Sequence, residues 1–591
     1  MLDPKYLEQF SDQLLGIIDS LTIAIISDMA KRIVKMGNVS ESTKHQAEVL
    51  QNAGLVYKDT IKRVSQVSGY QNREVERMYQ EAGVRNLKNE AVYYKQAGKE
   101  DGYKAVKLEQ SNGMQRILQA NVRKTCQELD NLTMTTAAKS QSAFIQACNK
   151  AQMKVSTGAF SYDKAIADAI KEAAVQGTEV LYPSQHVDKL DVAVRRAVLT
   201  GVNQTAAEMN LQYAKDQNCD YVETTAHAGA RPEHAVWQGK VFCLSGTDPK
   251  YENFYEATGY GTGPGLCGWN CRHNFHAFFP GISTPAYTQE MLDDYSAKSV
   301  TYNDKQFTEY EASQMQRSHE RQIRETKRKL AGYNSAISEA KDDTLKNTLQ
   351  NRFNEESVRL KKQEAALKAF CKETGRRYES ARVQIYAVKN KAGDIVGFNR
   401  SVAQKAVWQD RKNTFKNQMS KQLEKLTNEE KKAILRYTGN AANRVNSAIY
   451  SGKQQRIDQE KGFMDLLDSA LSKGTVEHKM VVHRDTIPEY LNAFPKGFQY
   501  SEEDIKRMNG MTLTNKGYTS TSFHDIMYQG RNVHLEIEIP KGYKGCLYIK
   551  DVATEKYKNQ EEVLFKRGFQ YKIKSVNKEK DRYYIKAEAV L

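Results

Sequence analysis

The sequence contains little proline and lacks a long uninterrupted apolar run. Ten prolines in 591 residues exclude a collagen-like chain and a proline-rich disordered one. The most apolar stretch, residues 14–27, is interrupted by Asp19 and is shorter than the roughly 20 residues that a spanning helix needs. The first residues carry Asp3 and Glu8, with no basic segment ahead of an apolar one. We therefore expect neither a membrane span nor a secretion signal.

Cysteine is also sparse. The eight cysteines give no disulfide framework, which favours free thiols in a protein made in a reducing compartment. They are Cys126, Cys148, Cys219, Cys243, Cys267, Cys271, Cys371 and Cys546.

Charged residues are abundant, at 27% of the chain, and 88 lysines and arginines stand against 72 aspartates and glutamates, a net charge of +16. This surplus suits contact with nucleic acid or another anionic surface, although the solvated lysines of an ordinary basic protein account for it equally well. The length and an apolar content of 40% predict about three to five domains.

Composition divides the chain into a mainly α-helical part, a small module and a terminal α+β part. Glycine, cysteine and histidine concentrate in residues 216–285, which predicts a compact loop-rich Cys/His module. Residues 286–412 have a helical, charged pattern. Residues 1–215 carry apolar side chains at spacings of three and four, typical of an amphipathic helix, at Leu7, Phe10, Leu14, Ile17, Leu21, Ile25 and Met29.

A short β piece is predicted near the end of the third region. Its strands lie at residues 383–386 and 395–398, across a turn at 391–393.

Residues 413–591 are predicted to form helices followed by a mostly antiparallel β-sheet core. Thr427 and Glu430 form a capping box at the start of a helix that ends near Ser451. The strand signals are alternating aliphatic residues at 533–539 and a terminal hairpin formed by 569–576 and 581–590 across 577–580.

Three polar side chains in this last region lie at the edges of predicted strands, in the order Arg484, Ser520 and Glu562. A guanidinium binds phosphate through two hydrogen bonds, and a serine can hold a carboxylate in one rotamer. A carboxylate stabilises positive charge that develops on a sugar. Each residue alone is most often structural, but the ordered set favours a pyrophosphate ligand whose glycosidic bond is broken.

A wider set of motifs surrounds these three residues. In sequence order they are Leu426-Thr427-x-Glu429-Glu430, Tyr437-Thr438-Gly439, Asn446, Val482-x-Arg484, Gly517-Tyr518-x-Ser520-Thr521-Ser522, Pro540-Lys541-Gly542 and Gln560-x-Glu562-Val563-Leu564. In this order they resemble the Arg–Ser-Thr-Ser–Glu class of ADP-ribosyltransferase exoenzymes over residues 420–591.

The resemblance implies an α+β ADP-ribosyltransferase domain with NAD as co-substrate. Arg484 would hold the NAD phosphates, and Ser520 would orient the catalytic Glu562 against the nicotinamide ribose. His483 departs from the family, which usually has an aromatic residue beside the arginine. The other NAD-binding positions that the resemblance implies are Tyr437, Asn446, Thr521 and Ser522.

Gln560 and Tyr557 correspond to positions that recognise the acceptor in this family. Arginine-modifying members carry Glu at the position of Gln560, whereas Rho-asparagine-modifying exoenzymes carry Gln there and an aromatic residue at that of Tyr557. The resemblance therefore implies a catalytic and acceptor-selecting role for Gln560, and an acceptor side chain that is not arginine.

The Cys/His module contains a candidate metal site. Its thiolates and imidazoles are the ligands of tetrahedral zinc. The spacing Cys267-x3-Cys271 is uncommon for such sites, so metal-free packing is the favoured alternative. The candidate ligands are His234, Cys267, Cys271 and His273, with His227 and His276 nearby.

The same module carries a second set of motifs. They are Arg231-Pro232-x-His234-x2-Trp237-x-Gly239-Lys240-Val241-Phe242, Gly265-Leu266-Cys267-Gly268-x-Asn270-Cys271-Arg272-His273, and a charge run from Gln314 to Arg328. With the helical N-terminal region they resemble the minor capsid proteins of tailed phages, which are head-morphogenesis proteins associated with the portal, over residues 1–410. Relatives often have Cys where this chain has His273, a departure that disfavours zinc.

The charge run from Gln314 to Arg328 is most often a solvated helix face, but inside a phage head it could contact packaged DNA without sequence preference.

Together the two resemblances predict a phage or prophage minor capsid protein that carries a mono-ADP-ribosyltransferase and modifies a host protein. Its expected partners are NAD, an unknown host acceptor, portal and capsid proteins, and DNA. Its expected locations are the virion and the bacterial cytoplasm. The alternatives are a structural head protein with an inactive transferase fold, a toxin without a virion, and a toxin with NAD glycohydrolase activity.

Overall fold

The computed structural model describes residues 2, 4–10, 12–36, 42–98, 106–246, 248–385, 388–389, 395–491, 493–494, 500–523, 530–579 and 581–591. The chain divides into two compact units, Met1–Ala406 (unit 1) and Val407–Leu591 (unit 2). Among the helices of these described ranges, none combines the length and the hydropathy that crossing a bilayer requires.

Unit 1 is mainly α-helical, as the sequence predicts. Its helices are α1 Pro4–Phe10, α2 Asp12–Lys35, α3 Ser42–Gln96, α4 Asn112–Ser156, α5 Tyr162–Gln176, α6 Leu190–Asp216, α7 Pro232–Ala235, α8 Phe254–Thr258, α9 Gln289–Ser296, α10 Glu309–Glu339, α11 Asp343–Thr374 and α12 Ser380–Val383, with a 3₁₀ turn at Leu108–Gln110. Its strands are β1 Glu179–Leu181, β2 Val187–Lys189, β3 Tyr221–Thr224, β4 Val241–Cys243, β5 Phe275–Ala277, β6 Val300–Tyr302, β7 Lys305–Phe307, β8 Val388–Lys389 and β9 Ile395–Val396.

The predicted N-terminal apolar stripe forms part of the unit 1 core. It lies on two helices, α1 and α2, and residue 11 between them is outside the described residues. Leu7, Leu14 and Met29 are completely buried. The helix α10 packs against α2 and α11, and the pair α3 and α4 packs side by side. A capping box of Thr308 and Glu311 fixes the start of α10.

The Cys/His module is built on the small antiparallel sheet β4-β3-β5. Two buried asparagines of α6 hold the segment that leads into β5. Asn203 donates to the carbonyl oxygens of Cys271 at 3.0 Å and His273 at 2.8 Å, and Asn210 donates to that of Phe275 at 2.7 Å. These bonds fix the backbone of the predicted metal ligands.

The short β piece of the third region is displaced from its predicted position. The strand β8 pairs with β9 at Val388–Lys389, whereas Val383 ends the helix α12. Tyr386 and the predicted turn at 391–393 lie outside the described residues. A four-residue helix is too short to show a helical periodicity, so the sequence pattern before 386 favours a strand.

Unit 2 has helices followed by a β-sheet. Its helices are α13 Arg400–Gln422, which begins in unit 1, α14 Asn428–Arg436, α15 Ala442–Ser451, α16 Gln454–Ser472 and α17 Glu502–Arg507, with a π-helical turn at Tyr437–Ala441 and 3₁₀ turns at Leu423–Lys425, Pro488–Leu491, Lys550–Val552 and Glu555–Gln560. Its strands are β10 Met480–Thr486, β11 Thr512–Asn515, β12 Thr519–Ser522, β13 Val533–Ile539, β14 Cys546–Tyr548, β15 Glu562–Phe565, β16 Phe569–Glu579 and β17 Arg582–Ala589.

The strands of unit 2 form one sheet in the order β11-β16-β17-β13-β10-β12-β15-β14, with β13 and β17 parallel and the other described pairs antiparallel. The capping box of Thr427 and Glu430 starts α14, and the helical path ends at Ser451 before the left-handed Gly452, as predicted. The terminal hairpin is confirmed by β16 and β17. Its first strand extends to Glu579, so most of the predicted turn is strand, and Lys580 lies outside the described residues.

Candidate functional site

Three adjacent strands of unit 2 bring the predicted transferase residues together. The order β10-β12-β15 places Arg484, Ser520 and Glu562 on neighbouring strands. Ser522 lies directly opposite Glu562 in the register of β12 and β15. Because side chains alternate along a strand, Ser520 shares a face with Ser522 and therefore with Glu562.

Glu562 is the buried carboxylate of this site. It is 7% exposed and accepts a hydrogen bond from the Ser520 hydroxyl at Oε1. Burial raises its pKa, the Ser520 bond and the Arg484 charge lower it, and the net shift is upward. The hydrogen bond from the serine restricts the rotamer of the carboxylate and favours its ionised form.

Arg484 is half-buried in the middle of β10. Its Nη1 donates to the carbonyl oxygen of Ser520 at 3.4 Å. This long bond uses one of the five N–H groups of the guanidinium. The position suits a side chain that anchors an anionic ligand beside Glu562.

The loop before β15 is tied to β12 and to two lysines. Ser522 donates from its hydroxyl to the carbonyl oxygen of Gln560 at 2.6 Å, and the Gln560 side chain is exposed. Glu561 adopts a left-handed conformation with φ of 48°. Its carboxylate forms an ion pair with Lys416 and lies 4.0 Å from Lys550. The side chain of Tyr557 lies outside the described residues.

Tyr437 and Asn446 support the start of β12 from the helices. Asn446 accepts from the backbone N–H of Tyr518 at 2.9 Å and donates to its carbonyl oxygen at 3.3 Å. It also donates to the hydroxyl of Tyr437 at 3.2 Å, and the ring of Tyr437 packs edge-on against that of Tyr518. A Cβ at Gly517 would lie 2.5 Å from the Asn446 Oδ1, so this contact requires glycine.

Thr521 points away from this face. It is buried, and its hydroxyl donates to the carbonyl oxygen of Val563 at 2.8 Å. The bond joins β12 to β15 on the face opposite Glu562, where Val563 belongs to a hydrophobic cluster. The position does not favour the predicted contact between Thr521 and NAD.

Two polar contacts of unit 2 are not predicted from the sequence. The Lys416–Glu561 ion pair joins residues that are far apart in sequence, so only the fold reveals it. His534 contacts Asp485, with its Nδ1 2.7 Å from Oδ1, and its ring stacks against that of His483. The contact between His534 and Asp485 could have been inferred from the alternation of side chains along β10 and β13, since both strands carry polar residues at buried positions.

Unit 1 brings three of the four predicted metal ligands together. Among the described residues, His234, Cys271 and His273 are buried, and their ligand atoms lie within 4.8 Å of one another. The Cys271 Sγ is 3.7 Å from the His234 Nδ1 and 3.6 Å from the His273 Nδ1. Cys267 is not in this group, since its Sγ contacts the carbonyl oxygen of His273 at 3.5 Å. All eight cysteines are free thiols.

The second ring nitrogens of both histidines contact acceptors. The His234 Nε2 lies 2.8 Å from the carbonyl oxygen of Pro264. The His273 Nε2 lies 3.1 Å from the Gln238 Oε1, which also accepts from the backbone N–H of His227. Each Nε2 must therefore carry the proton, so that both Nδ1 lone pairs of the neutral rings face Cys271.

The two parts of the chain match two different families. Residues 2–372 match the family model of phage minor capsid protein 2, and residues 412–591 match that of the ADP-ribosyltransferase exoenzyme.

The relatives of each part share about a quarter of the aligned residues with this chain. A structural protein of Lactococcus phage LL-H is 28% identical over 230 residues, 36% of this chain, and the chain spans only 58% of that protein's length. The epidermal cell differentiation inhibitor of Staphylococcus aureus is 26% identical over 237 residues, 36% of this chain and 94% of its own length. The solved structure of Plx2a, an ADP-ribosyltransferase toxin from Paenibacillus larvae, is 26% identical with a TM-score of 0.28, covering 31% of this chain and 96% of that one.

Proposed function

Because the chain belongs to the phage minor capsid protein 2 family and ends in an ADP-ribosyltransferase exoenzyme domain, we propose that it is a head protein that transfers ADP-ribose from NAD to a host protein. The observation that carries this proposal is the buried Glu562, which is held by Ser520 and lies beside Arg484. A structural protein with an inactive transferase fold would have no need to keep a buried carboxylate in this arrangement.

Each residue has a chemical role in the transfer. The Arg484 guanidinium binds the pyrophosphate of NAD and holds the dinucleotide against the sheet. The bond between C1′ of the ribose and the nicotinamide nitrogen breaks, and its electron pair leaves with nicotinamide. The Glu562 carboxylate stabilises the positive charge that develops on the ribose. A nucleophile of the acceptor protein then bonds to C1′ and loses its proton.

Gln560 is placed to meet the acceptor. Its side chain is exposed at the end of a 3₁₀ turn, and Ser522 fixes its carbonyl oxygen. An amide can hydrogen-bond an uncharged acceptor but carries no charge to attract a guanidinium. We therefore propose an acceptor side chain other than arginine, with Tyr557 as a second contact.

The test of this function uses the full chain and labelled NAD in a bacterial lysate. A labelled protein band with the wild type, absent with Glu562→Gln, supports the transferase and provides its substrate. Release of nicotinamide without a band supports a glycohydrolase. If neither signal appears with a folded protein, the transferase proposal fails and a structural role replaces it.

The family supplies the proposed location and partners. We propose that the protein is part of the virion, in contact with portal and capsid proteins, and that it is present in the bacterial cytoplasm during assembly and after delivery. Mass spectrometry of purified particles would detect residues of both units if this is right. Recovery of unit 1 peptides alone would contradict delivery of the enzyme by the particle.

We also propose that His234, Cys271 and His273 hold one zinc ion in unit 1. Two imidazole lone pairs face one sulfur atom, and the single S–H of Cys271 can serve only one of them. A divalent cation would satisfy both nitrogens and the thiolate. The contacts of the two Nε2 atoms with Pro264 and Gln238 are of the kind that orient histidine ligands of metals.

Metal content tests this site. We expect about one zinc per chain in the purified full-length protein and its loss in Cys271→Ser. The variant Cys267→Ser is the matched control, since Cys267 lies outside the group, and it should keep the metal. Equal zinc in all three proteins, or none in the wild type, would contradict the proposal.

A further inference from the structure

A cleft lined by arginines lies within unit 1. It has a volume of about 420 Å³, and it is lined by α6, the loops of the Cys/His module, α10 and α12. Eight arginines and three carboxylates line it, with no lysine, so the lining carries five more positive than negative charges. We call this feature the arginine cleft.

The carboxylates of the arginine cleft are already engaged. Asp188 forms an ion pair with Arg196 at 2.5 Å, and Asp191 forms one with Arg324 at 2.8 Å. The third carboxylate, Glu320, is buried and interacts electrostatically with three arginines, Arg382, Arg195 and Arg317. One negative charge among three positive ones leaves a strong positive potential in the cleft.

The charge run on α10 divides into two parts with different surroundings. Its arginines lie on one face of the helix because they recur at positions 317, 321, 324 and 328. Arg324 and Arg328 are buried against Asp191, and Arg324 also pairs with Asp19. Arg317 is half-buried and Arg321 is exposed, and both line the arginine cleft. The run is therefore not the wholly solvated face that its composition suggests.

We propose that the arginine cleft binds clustered phosphate groups. A guanidinium presents a planar fork that matches two phosphate oxygens, whereas a lysine offers a point charge. A lining with eight arginines and no lysine therefore favours phosphate over a diffuse counter-ion cloud. Positive charges in a concave site also concentrate anions by focusing the field. The volume lies in the lower part of the range of small-ligand sites, roughly 300–1,000 Å³, and therefore suits a nucleotide-sized segment.

Two kinds of ligand carry clustered phosphate groups: the backbone of a nucleic-acid strand and a free oligophosphate. Both present several phosphate oxygens within the reach of Arg317, Arg321 and Arg195. The site is separate from the proposed NAD site, since every lining residue belongs to unit 1. The proposed zinc ligands His234, Cys271 and His273 line the same cleft, but the arginines on α10 are not among them.

The test compares binding of two probes to the full-length chain. Inorganic tripolyphosphate is titrated by calorimetry, and a labelled 5′-phosphorylated single-stranded oligonucleotide is followed by fluorescence anisotropy at several salt concentrations. The cleft variant is Arg317→Gln with Arg321→Gln. The matched control is Arg73→Gln with Arg116→Gln, which removes the same charge from exposed positions on α3 and α4. Thermal unfolding shows that each variant is folded.

We expect the cleft variant to bind both probes at least about tenfold more weakly and the control to bind as the wild type does. Tripolyphosphate should displace the oligonucleotide. An affinity that rises with oligonucleotide length identifies a strand as the source, and one independent of length identifies a free oligophosphate. Absence of wild-type binding to either probe, equal losses in the two variants, or failure of tripolyphosphate to compete would overturn the proposal.

Discussion

The Ser520 hydroxyl donates a hydrogen bond to Oε1 of Glu562, the buried carboxylate at the start of β15. The bond joins two strands at the point where Arg484 approaches from a third. Burial and the two polar neighbours have opposite effects on the carboxylate, because burial favours the protonated form and the neighbours favour the ionised form. The chemistry proposed for Glu562 requires the ionised form.

Replacement of Glu562 by Gln should abolish transfer and leave NAD binding nearly unchanged. The amide has the shape of the carboxylate but cannot stabilise positive charge on the ribose, and loss of such a group costs about 100-fold or more in rate. Transfer from labelled NAD and calorimetric binding of NAD measure the two effects. Glu588→Gln, on an exposed part of β17, is the control and should behave as the wild type. Full activity of Glu562→Gln would refute the assignment of the catalytic carboxylate.

Replacement of Ser520 by Ala should move the acid limb of the pH–rate profile to higher pH. The hydroxyl stabilises the ionised Glu562, so its removal raises the pKa of that carboxyl further above the ordinary Glu value. Activity is present above this pKa and is lost as the pH falls through it. A profile of kcat/KM for NAD measures the shift. A uniform loss of activity at every pH would instead indicate that Ser520 acts only through the rotamer of Glu562.

Replacement of Arg484 by Lys should mainly raise KM for NAD. The charge remains, but the two-pronged contact with phosphate is lost, which is worth about tenfold in binding. Initial rates over a range of NAD concentrations separate the effect on KM from that on kcat. A fall in kcat with an unchanged KM would mean that Arg484 acts on the transition state rather than as the anchor of NAD.

Replacement of Gly517 by Ala should destabilise unit 2. The added Cβ would lie 2.5 Å from the Asn446 Oδ1 and 3.0 Å from the ring of Tyr450, so these side chains of α15 must shift away from the segment before β12. Overpacking of this kind costs roughly 1–3 kcal/mol. Gly462→Ala, at an open position within α16, is the matched control and should stabilise by about 0.5–1 kcal/mol. Chemical denaturation measures both values, and equal effects would argue against the steric cause.

Replacement of Arg324 by Met should strongly destabilise unit 1. The guanidinium pairs with Asp19 and Asp191, and all three side chains are buried. Breaking a buried pair leaves an uncompensated charge and costs about 3–5 kcal/mol. Arg352→Met, at an exposed ion pair on α11, should cost less than about 1 kcal/mol. A small loss in the first variant would show that Arg328, which also pairs with Asp191, or water compensates the two aspartates.

Local signals account for the parts of the fold that the sequence predicted. The capping box at Thr427, the alternation of residues 533–539 and the terminal hairpin depend on neighbours in the chain, and all three are present. The same alternation separates Ser520 from Thr521, which face opposite sides of the sheet. When Ser520-Thr521-Ser522 is considered as one binding motif, the different directions of its side chains are overlooked.

Contacts between distant parts of the chain account for what the sequence did not reveal. The sequence favours a solvated helix face for Arg324 because its partner Asp19 lies 305 residues away. The sequence does not show that the Nδ1 atoms of His234 and His273 face Cys271, because this depends on the orientation of the rings and on the contacts of their Nε2 atoms. The residue types predicted Cys267 as a ligand, but a four-residue separation from Cys271 does not fix the direction of its thiol, and its Sγ contacts the carbonyl oxygen of His273 instead.

The ion pair between Lys416 and Glu561 bears on how the enzyme could be set free. Lys416 and the buried Met419 lie on α13, a helix that begins at Arg400, before the transferase unit. A protease that cut before Lys416 would release a fragment that keeps Lys416, the cation paired with Glu561 in the loop before β15. A cut after Met419 would remove both that cation and a core side chain. The position of a cut along this one helix would thus decide whether the fragment keeps both the Lys416–Glu561 ion pair and the Met419 core contact.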